Sequence, residues 1–260
     1  MNNDIKLWLR RAADFWFPRG ITCIGCGEDI FQNQSGLCDR CMSALEIISG
    51  RVCRRCGRPL HEASSTLCYA CFGKVTSFRG NVAVAAYSPL AQQLIFRFKY
   101  KDHRYISYHM AQMMAALLKT TWISDVDCIV AVPSSQRRIS QRGYCQMALI
   151  ASDLSALTGL QNLQDTLVRI KDTPRMKRLN RESRSQVLQG CFFVKSPREV
   201  EGKSVLLIDD IMTTGSTLEI CAQSLLAAGA AEVWTMTFAT VFDNQPSGKK
   251  RLFHQIRQIF

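Results

Sequence analysis

The sequence lacks an apolar run that could cross a membrane. Its most apolar stretch, 220–241, predicts a helix, a turn and a strand, because polar residues and a glycine interrupt it. These residues are Gln223, Ser224, Gly229 and Glu232. No secretory signal is predicted either, since charges break up the early apolar positions. We therefore expect a soluble, cytoplasmic protein that is not integral to the membrane.

Acidic residues are also scarce. The 260 residues include 33 Lys and Arg against 21 Asp and Glu, a formal net charge of +12. This excess indicates a polyanionic partner, such as nucleotide phosphates, nucleic acid or an anionic membrane face. Apolar residues make up 47% of the chain, which excludes a disordered protein and supports a proper core.

Eight of the twelve cysteines form four C-x-x-C pairs before residue 72. A disulfide framework is excluded by the reducing compartment that we expect for this chain. The pairs repeat with a period of thirty residues, because 23–41 aligns without gaps on 53–71. One unit contains Cys23, Cys26, Cys38 and Cys41, and the other contains Cys53, Cys56, Cys68 and Cys71.

Each unit has the spacing of a zinc ribbon. A C-x-x-C knuckle places two thiolates on one edge of the metal, and the glycine after it permits a tight turn. Four thiolates close the coordination sphere, so two structural zinc sites are predicted, with the metal supplying the folding energy of each ribbon. We expect loss of one ribbon to leave the rest of the chain folded. An iron–sulfur cluster or an interleaved pairing of the cysteines is the alternative.

The change of composition along the chain predicts four segments. Residues 1–19 favour an amphipathic helix that packs on the main domain, with a membrane-surface anchor as the alternative. Residues 20–75 form the double zinc ribbon, residues 80–242 the main domain, and residues 243–260 a basic tail.

The main domain alternates short apolar strands with helical segments. This alternation predicts an α/β fold with a mainly parallel sheet flanked by helices, whose ligand sites lie at the carboxyl ends of the strands. The predicted strands are 81–87, 128–132, 166–170, 191–194, 205–208 and 233–239, and the predicted helices are 89–98, 105–119, 143–158 and 217–228.

The most specific motif follows the strand at 205–208. That strand is expected to end at two carboxylates, Asp209 and Asp210, before a loop that opens a helix. Backbone N–H groups and hydroxyls of the loop suit a monophosphate, and the paired carboxylates suit the vicinal hydroxyls of a ribose. The loop consists of Thr213, Thr214, Gly215, Ser216 and Thr217.

Two further segments are rich in positive charge. The strand at 128–132 runs into a polar turn and a basic helix start, whose arginines fit a highly charged anion. Its candidate residues are Pro133, Ser134, Ser135, Arg137, Arg138 and Arg142. The segment 169–184 carries seven basic and two acidic residues, and the alternative there is an ordinary solvated loop.

These motifs, in this order, resemble a known family. The I-D-D and T-T-G-S-T motif is similar to that of type I phosphoribosyltransferases, which bind 5-phosphoribosyl-1-pyrophosphate (PRPP). Residues 20–240 as a whole resemble the ComF/GntX family of competence-associated, phosphoribosyltransferase-like proteins. The likeness rests on the cysteine pairs, the segment from Leu94 to Tyr100, V-P before R-G-Y-x-Q, and T-P before G-C-F.

The resemblance implies a type I phosphoribosyltransferase fold behind the ribbons, with PRPP and Mg²⁺ as ligands. Asp209 and Asp210 would be the catalytic pair on the ribose, 213–217 would hold the 5′-phosphate, and 133–142 would hold the pyrophosphate. A mobile hood would close over the reaction. The hood residues implied are Arg169, Thr173, Arg178 and Arg184.

The family also implies a role in DNA uptake during natural transformation, with single-stranded DNA and the DNA-translocation machinery as partners. Two functions remain open: a phosphoribosyltransferase with an unknown acceptor, and a non-catalytic module that senses nucleotides or binds single-stranded DNA. No general base is evident, since His103 and His109 are expected to be exposed. A DNA groove is expected to join the hood to the arginines of the second ribbon, namely Arg51, Arg54, Arg55 and Arg58.

Overall fold

The computed structural model describes residues 21–30, 35–60, 65–101, 103–123, 125–171 and 190–242. The predictions made for 1–19, for 243–260 and for most of the hood lie outside these residues. Within the described ranges, no helix is both long and apolar enough to cross a membrane.

A five-stranded sheet in which every pair of neighbours is parallel forms the centre of the main domain. The strands are β1 (Asn81–Ala86), β2 (Cys128–Ala131), β3 (Gln161–Asn162), β6 (Ser204–Met212) and β7 (Glu232–Thr240), in the order β1-β7-β6-β2-β3. A separate antiparallel pair consists of β4 (Leu167–Arg169) and β5 (Phe192–Val194). The predicted parallel α/β sheet is confirmed.

Seven helices occur among the described residues. They are α1 (Asp39–Ala44), α2 (Pro89–Tyr100), α3 (Ile106–Thr120), α4 (Gln136–Arg142), α5 (Gln146–Thr158), α6 (Pro197–Val200) and α7 (Ser216–Ala227). The start of α2 shows how local chemistry sets a boundary. Ser88 caps it by accepting a hydrogen bond from Ala91 N, and Pro89 occupies the first turn, where its missing N–H is not needed.

Two predicted boundaries are wrong. The helix expected at 143–158 begins at Gln146, because a turn at 143–145 separates it from the preceding helix α4. The strand expected to end at residue 208 continues to Met212, because it keeps pairing with β7 as far as Thr240. The acidic pair is therefore inside the strand.

The sheet is buried on both faces. Along β6, Leu206 and Ile208 join a core with α2, α3 and α5, whereas Val205 and Leu207 join a second core with α7. This alternation follows from the two-residue period of a strand. It also predicts that Asp209 and Asp210 leave the sheet on opposite faces.

The two ribbons repeat each other at the level of hydrogen bonds. In the first, Gly27 N donates to Cys23 O, and in the second, Gly57 N donates to Cys53 O, each at 2.8 Å. Both glycines have a positive φ, 83° and 74°, which is the left-handed conformation that the tight knuckle needs. The thirty-residue period of the sequence is thus a period of the structure.

The first ribbon shares a core with the main domain. Ile24, Leu37 and Leu45 are fully buried in the cluster that also contains α2 and α3. The residues thirty positions later, Arg54, Leu67 and Val75, are exposed or half-buried. The second ribbon reaches the other core through Cys53, Cys56 and Cys71, but its Leu60 and Leu67 are only half-buried there.

Hydrogen bonds reinforce the docking of the first ribbon. Arg97 of α2 donates to Ile24 O at 3.1 Å and to Gly25 O at 2.9 Å. His109 of α3 is 3% exposed and packs against Gly36, so the prediction that His109 is exposed is wrong. Its burial is explained by the ribbon that covers it.

Candidate functional site

The loops after β2 and β6 lie side by side, because these strands are parallel neighbours. Val132 N donates to Ile208 O at 3.0 Å, just before the segment after β2 separates from β6. Between the loops is a cleft of about 290 Å³. Its charged lining residues are Lys99, Arg138 and Asp209, and residues 213–217 form its floor.

The acidic pair sits where the cleft meets the sheet. Asp209 lines the cleft, and one of its carboxylate oxygens accepts a hydrogen bond from Asp210 N at 2.9 Å. Asp210 is 9% exposed and points to the other face of the sheet, where α2 ends. The two carboxylates thus have different surroundings, although they are adjacent in sequence.

Asp210 is paired with a residue to which the sequence analysis assigned no role. Lys99 Nζ, in the last turn of α2, lies 2.5 Å from Asp210 Oδ2, and both side chains are mostly buried. Lys99 belongs to the segment from Leu94 to Tyr100, on which the family resemblance partly rests. Nothing in the sequence indicated which residue would face Lys99.

Among the described residues, no cation forms such an ion pair with Asp209. Burial, followed by the charge of Asp210, raises the pKa of Asp209 to about 7, although Lys99 and Arg138 oppose the shift. The folded protein therefore keeps a proton on Asp209 that the unfolded chain releases near pH 4. The titration of Asp209 therefore lowers the free energy of unfolding as pH rises from about 4 to about 7.

Replacing Asp209 with Asn is expected to remove this loss of stability. We expect the melting temperature of the ligand-free variant, minus that of the wild type, to increase as pH is raised from 5 to 8. Differential scanning fluorimetry would measure both temperatures. A difference that is constant or shrinks over this range would contradict the assignment.

The loop between β6 and α7 turns at Gly215, whose backbone is in the left-handed conformation. Gly215 has φ 77°, and a Cβ there would lie 2.9 Å from Met212 Cε. Thr214 Oγ1 and Ser216 Oγ lie 2.9 Å apart and face each other across the turn. A side chain at Gly215 would therefore both strain and fill this turn.

Of the three arginines predicted to contact the anion, one lines the cleft. Arg138 does so, whereas Arg137 is exposed outside it. The Arg142 guanidinium lies over the Tyr100 ring, 4.8 Å from its centroid, and donates to Gln146 Oε1 at 2.8 Å. Arg142 thus contacts the protein itself.

The turn that precedes α4 is held by buried polar groups. Ser135 is 7% exposed and is the N-cap of α4, and Ser134 Oγ donates to Gln146 Oε1 at 3.5 Å. Gln146 is itself 2% exposed, and its Nε2 finds no acceptor among the described residues. Pro133 directly follows Val132 at the end of this pairing.

The hood is represented in the structure by its first residue. Arg169, at the end of β4, donates from Nε to Lys171 O and lies over the Phe192 ring. The other hood candidates, Thr173, Arg178 and Arg184, lie outside the described residues.

The eight ribbon cysteines form two groups, in the sequential pairing. Within each group the four Sγ atoms lie within 4.8 Å of one another. Cys26 and Cys38 have their Sγ atoms 3.7 Å apart, and so do Cys56 and Cys68. A tetrahedral site with Zn–S bonds of about 2.3 Å needs sulfur atoms about 3.8 Å apart, so both groups fit structural zinc.

The chain is expected to contain two zinc ions, both in residues 23–71. Elemental analysis of metal-replete protein should give two zinc ions per chain. Cys145→Ser, which changes a cysteine outside both groups, should leave that number unchanged. One zinc ion or none per chain would contradict the two closed sites.

The second ribbon lies directly beneath the loop at 213–215. A cleft of about 170 Å³ separates them and is lined by Arg55, Arg58 and Lys74 from the ribbon. Two of these cations have structural partners, because Arg58 Nε donates to Cys56 Sγ at 3.2 Å and Arg55 donates to Cys71 O at 2.8 Å. Arg58 thus offsets the negative charge of the thiolates, whereas Arg55 holds a backbone carbonyl of the ribbon.

Two known protein families match two different parts of the chain. The double zinc ribbon domain matches residues 12–72, and the phosphoribosyl transferase domain matches residues 139–258. Among solved structures, an allosteric regulatory enzyme of purine biosynthesis aligns with 55% of this chain and 29% of its own, at 19% identity and a TM-score of 0.38.

Relatives of similar length exist in several bacteria. The DNA utilization protein YhgH of Escherichia coli (strain K12) is 32% identical over 161 residues, which are 60% of this chain and 70% of that protein. Competence protein F of Haemophilus influenzae is 29% identical over 216 residues, which are 81% of this chain and 93% of that protein. Competence protein ComFC of Bacillus subtilis is 27% identical over 59% of this chain and 60% of its own length. This chain is therefore a member of the ComF family, in which a double zinc ribbon precedes a domain of the phosphoribosyltransferase type.

Proposed function

We propose that the cleft binds PRPP together with Mg²⁺. Three features meet within one cleft, and this observation carries the proposal. They are the hydroxyl-rich residues 213–217 of the loop and the start of α7, the Asp209 carboxylate, and two cations, Lys99 and Arg138. The loop suits the 5′-phosphate, the carboxylate suits a ribose hydroxyl, and the cations suit the pyrophosphate.

The donor set also fits a magnesium ion. Mg²⁺ takes oxygen ligands and retains several waters, so one carboxylate and the oxygens of the ligand are enough to hold it. Asp209 is the protein carboxylate that lines the cleft. When bound, the ion would neutralise the charge that develops on the departing pyrophosphate.

If the protein turns PRPP over, its residues act by positioning and charge. The loop would fix the phosphate, Asp209 would orient the ribose, and Lys99 and Arg138 would stabilise negative charge on the leaving pyrophosphate. No histidine among the described residues lines the cleft. The reaction class proposed is pentosyl transfer, with a nucleophile supplied entirely by the acceptor.

Release of pyrophosphate separates an enzyme from a binding protein. PRPP and Mg²⁺ would be incubated with the protein and a panel of bases and oligonucleotides, and pyrophosphate measured with time. Release that depends on one acceptor would establish transfer. Tight PRPP binding without release on any acceptor would establish the non-catalytic alternative.

A role in DNA uptake is the second part of the proposal, and one surface favours it. Tyr69 and Phe72 of the second ribbon are 99% and 77% exposed, and Lys74 is exposed beside them. Residues 51–75 contain five basic residues and one acidic, whereas 21–45 contain one basic and three acidic. Exposed aromatic rings in a positive field suit the stacked bases of single-stranded DNA.

The affinity for an oligonucleotide should accordingly fall as the salt concentration rises. In a plot of log affinity against log salt concentration, each contacted phosphate should contribute about −0.7 to the slope. We expect Tyr69→Ala with Phe72→Ala to lower affinity at every salt concentration and to keep the slope, because these rings carry no charge. Fluorescence anisotropy would measure both quantities. Tyr105→Ala, another exposed tyrosine, is the control. An affinity that does not change with salt concentration would exclude this surface as a nucleic-acid site.

A further inference from the structure

We propose that Lys99 binds the diphosphate end of the ligand, and that it does so by exchanging its ion pair with Asp210 for the ligand. The proposal rests on the proposed function of the cleft and extends it to a residue outside the family's phosphate-binding motifs. It makes Lys99 a binding residue and, through Asp210, a positioning residue.

A diphosphate in the cleft needs a second cation beside Arg138, and among the described residues Lys99 supplies it. A diphosphate carries several negative charges, yet only Arg138 of the three predicted arginines lines the cleft. Arg142 is committed to Gln146 and Tyr100. Among the described residues, the basic side chains that line this cleft are Arg138, from α4, and Lys99, from the end of α2.

The backbone of Lys99 is firmly held. Phe98, the preceding residue, is fully buried in the core, and its carbonyl accepts a hydrogen bond from Tyr144 Oη at 2.6 Å. Earlier in the same helix, Arg97 bonds to the first ribbon. The end of α2 is therefore fixed from both sides, and only the flexible stem of Lys99 is left to move.

The ion pair has the character of an exchangeable contact. An ammonium group is a compact charge with three donors on a mobile stem, so it can turn from one anion to another without movement of the helix. A diphosphate offers it more negative charge than one carboxylate does. Once Lys99 turns to the diphosphate, Asp210 Oδ2 loses its partner at 2.5 Å and can accept a hydrogen bond from a ribose hydroxyl. Binding at one end of the ligand thereby prepares the site for the other.

The test compares Lys99→Met with Lys101→Met, which removes an exposed lysine next to the same helix end. Isothermal titration calorimetry in Mg²⁺ would measure the affinity for PRPP, pyrophosphate and ribose 5-phosphate. We expect Lys99→Met to lose about tenfold in affinity for PRPP and for pyrophosphate, the effect of one charge-assisted hydrogen bond. Affinity for ribose 5-phosphate should be unchanged or higher, because it has no diphosphate and Asp210 is already free. Lys99→Arg should recover part of the loss.

The outcomes separate this inference from the proposed function. A wild-type protein that binds PRPP, with a Lys99→Met variant that binds it equally well, would overturn the role of Lys99 alone. So would an equal loss for all three ligands, which would indicate a structural defect. A wild-type protein that binds pyrophosphate through Lys99 but not PRPP would overturn the proposed function and leave the inference standing. Binding of none of the three would overturn both.

Discussion

Replacing Asp209 and Asp210 together with Asn is expected to abolish the stabilisation that PRPP and Mg²⁺ give the wild-type protein. At a ligand concentration a hundred times the dissociation constant, binding stabilises the folded state by about 2.7 kcal/mol. For a domain of this size that corresponds to a rise in melting temperature of roughly 5–10 °C. The double variant loses the carboxylate that lines the cleft and the one that Lys99 holds.

Asp165→Asn is the matched control for this experiment. Asp165 is exposed and has a positive φ of 63°, a conformation that Asn also tolerates, so the change removes a charge without disturbing the fold. Its thermal shift with ligand should equal that of the wild type. If the double variant also keeps the full shift, PRPP binds somewhere other than this cleft.

Cys23→Ser and Cys53→Ser are expected to have unequal effects, although they make the same change in the two copies of one repeat. Each removes one ligand from a closed site, and structural zinc supplies on the order of 10 kcal/mol to a small ribbon. The first ribbon additionally buries Ile24, Ile30, Leu37 and Leu45 in the main core. Four aliphatic side chains contribute about 6–12 kcal/mol, so their release should unfold the α/β domain as well.

Cys53→Ser should instead act on the ligand site. The second ribbon only half-buries Leu60 and Leu67 against the other core, and its Cys56 O accepts hydrogen bonds from Asn81 of β1 and Thr240 of β7. The second ribbon also lies beneath the loop at 213–215. We expect this variant to retain one zinc ion and a cooperative thermal transition, and to lose most of its response to PRPP. A Cys23→Ser variant with an intact transition would show that the first ribbon folds independently, as the sequence alone suggested.

Local patterns in the sequence predicted the parts of the structure that depend on local interactions. The knuckles around Gly27 and Gly57, the capped start of α2 and the loop at 213–217 each depend on a few neighbouring residues. Periodicity was sufficient for the parallel sheet, since buried strands that alternate with helices have few other arrangements. The approximate position of the cleft followed from the fact that parallel strands end at one edge of a sheet.

The failures concern the choice of distant partners. Burial of His109 depends on Gly36 in another domain, and the pairing of Asp210 depends on Lys99, more than a hundred residues earlier. Arg142 contacts Tyr100 and Gln146, partners that the sequence did not indicate, and its contact with an anion stays a prediction. A side chain that can serve either a ligand or the protein looks the same in sequence.

The order of strands in the sheet has a consequence for synthesis of the chain. β1 finds its neighbour in β7, so it has no sheet partner on that side until about 150 further residues have been made. At ordinary rates of translation this delay lasts roughly 10–30 s. During that time the other edge of β1 can already bond to the segment after the first ribbon, where Ile48 N donates to Val84 O at 2.9 Å. A ribbon that has acquired its zinc early would thus shield an apolar strand from aggregation while the nascent chain is completed, and the yield of folded protein should depend on the zinc that is available while the ribosome is still working.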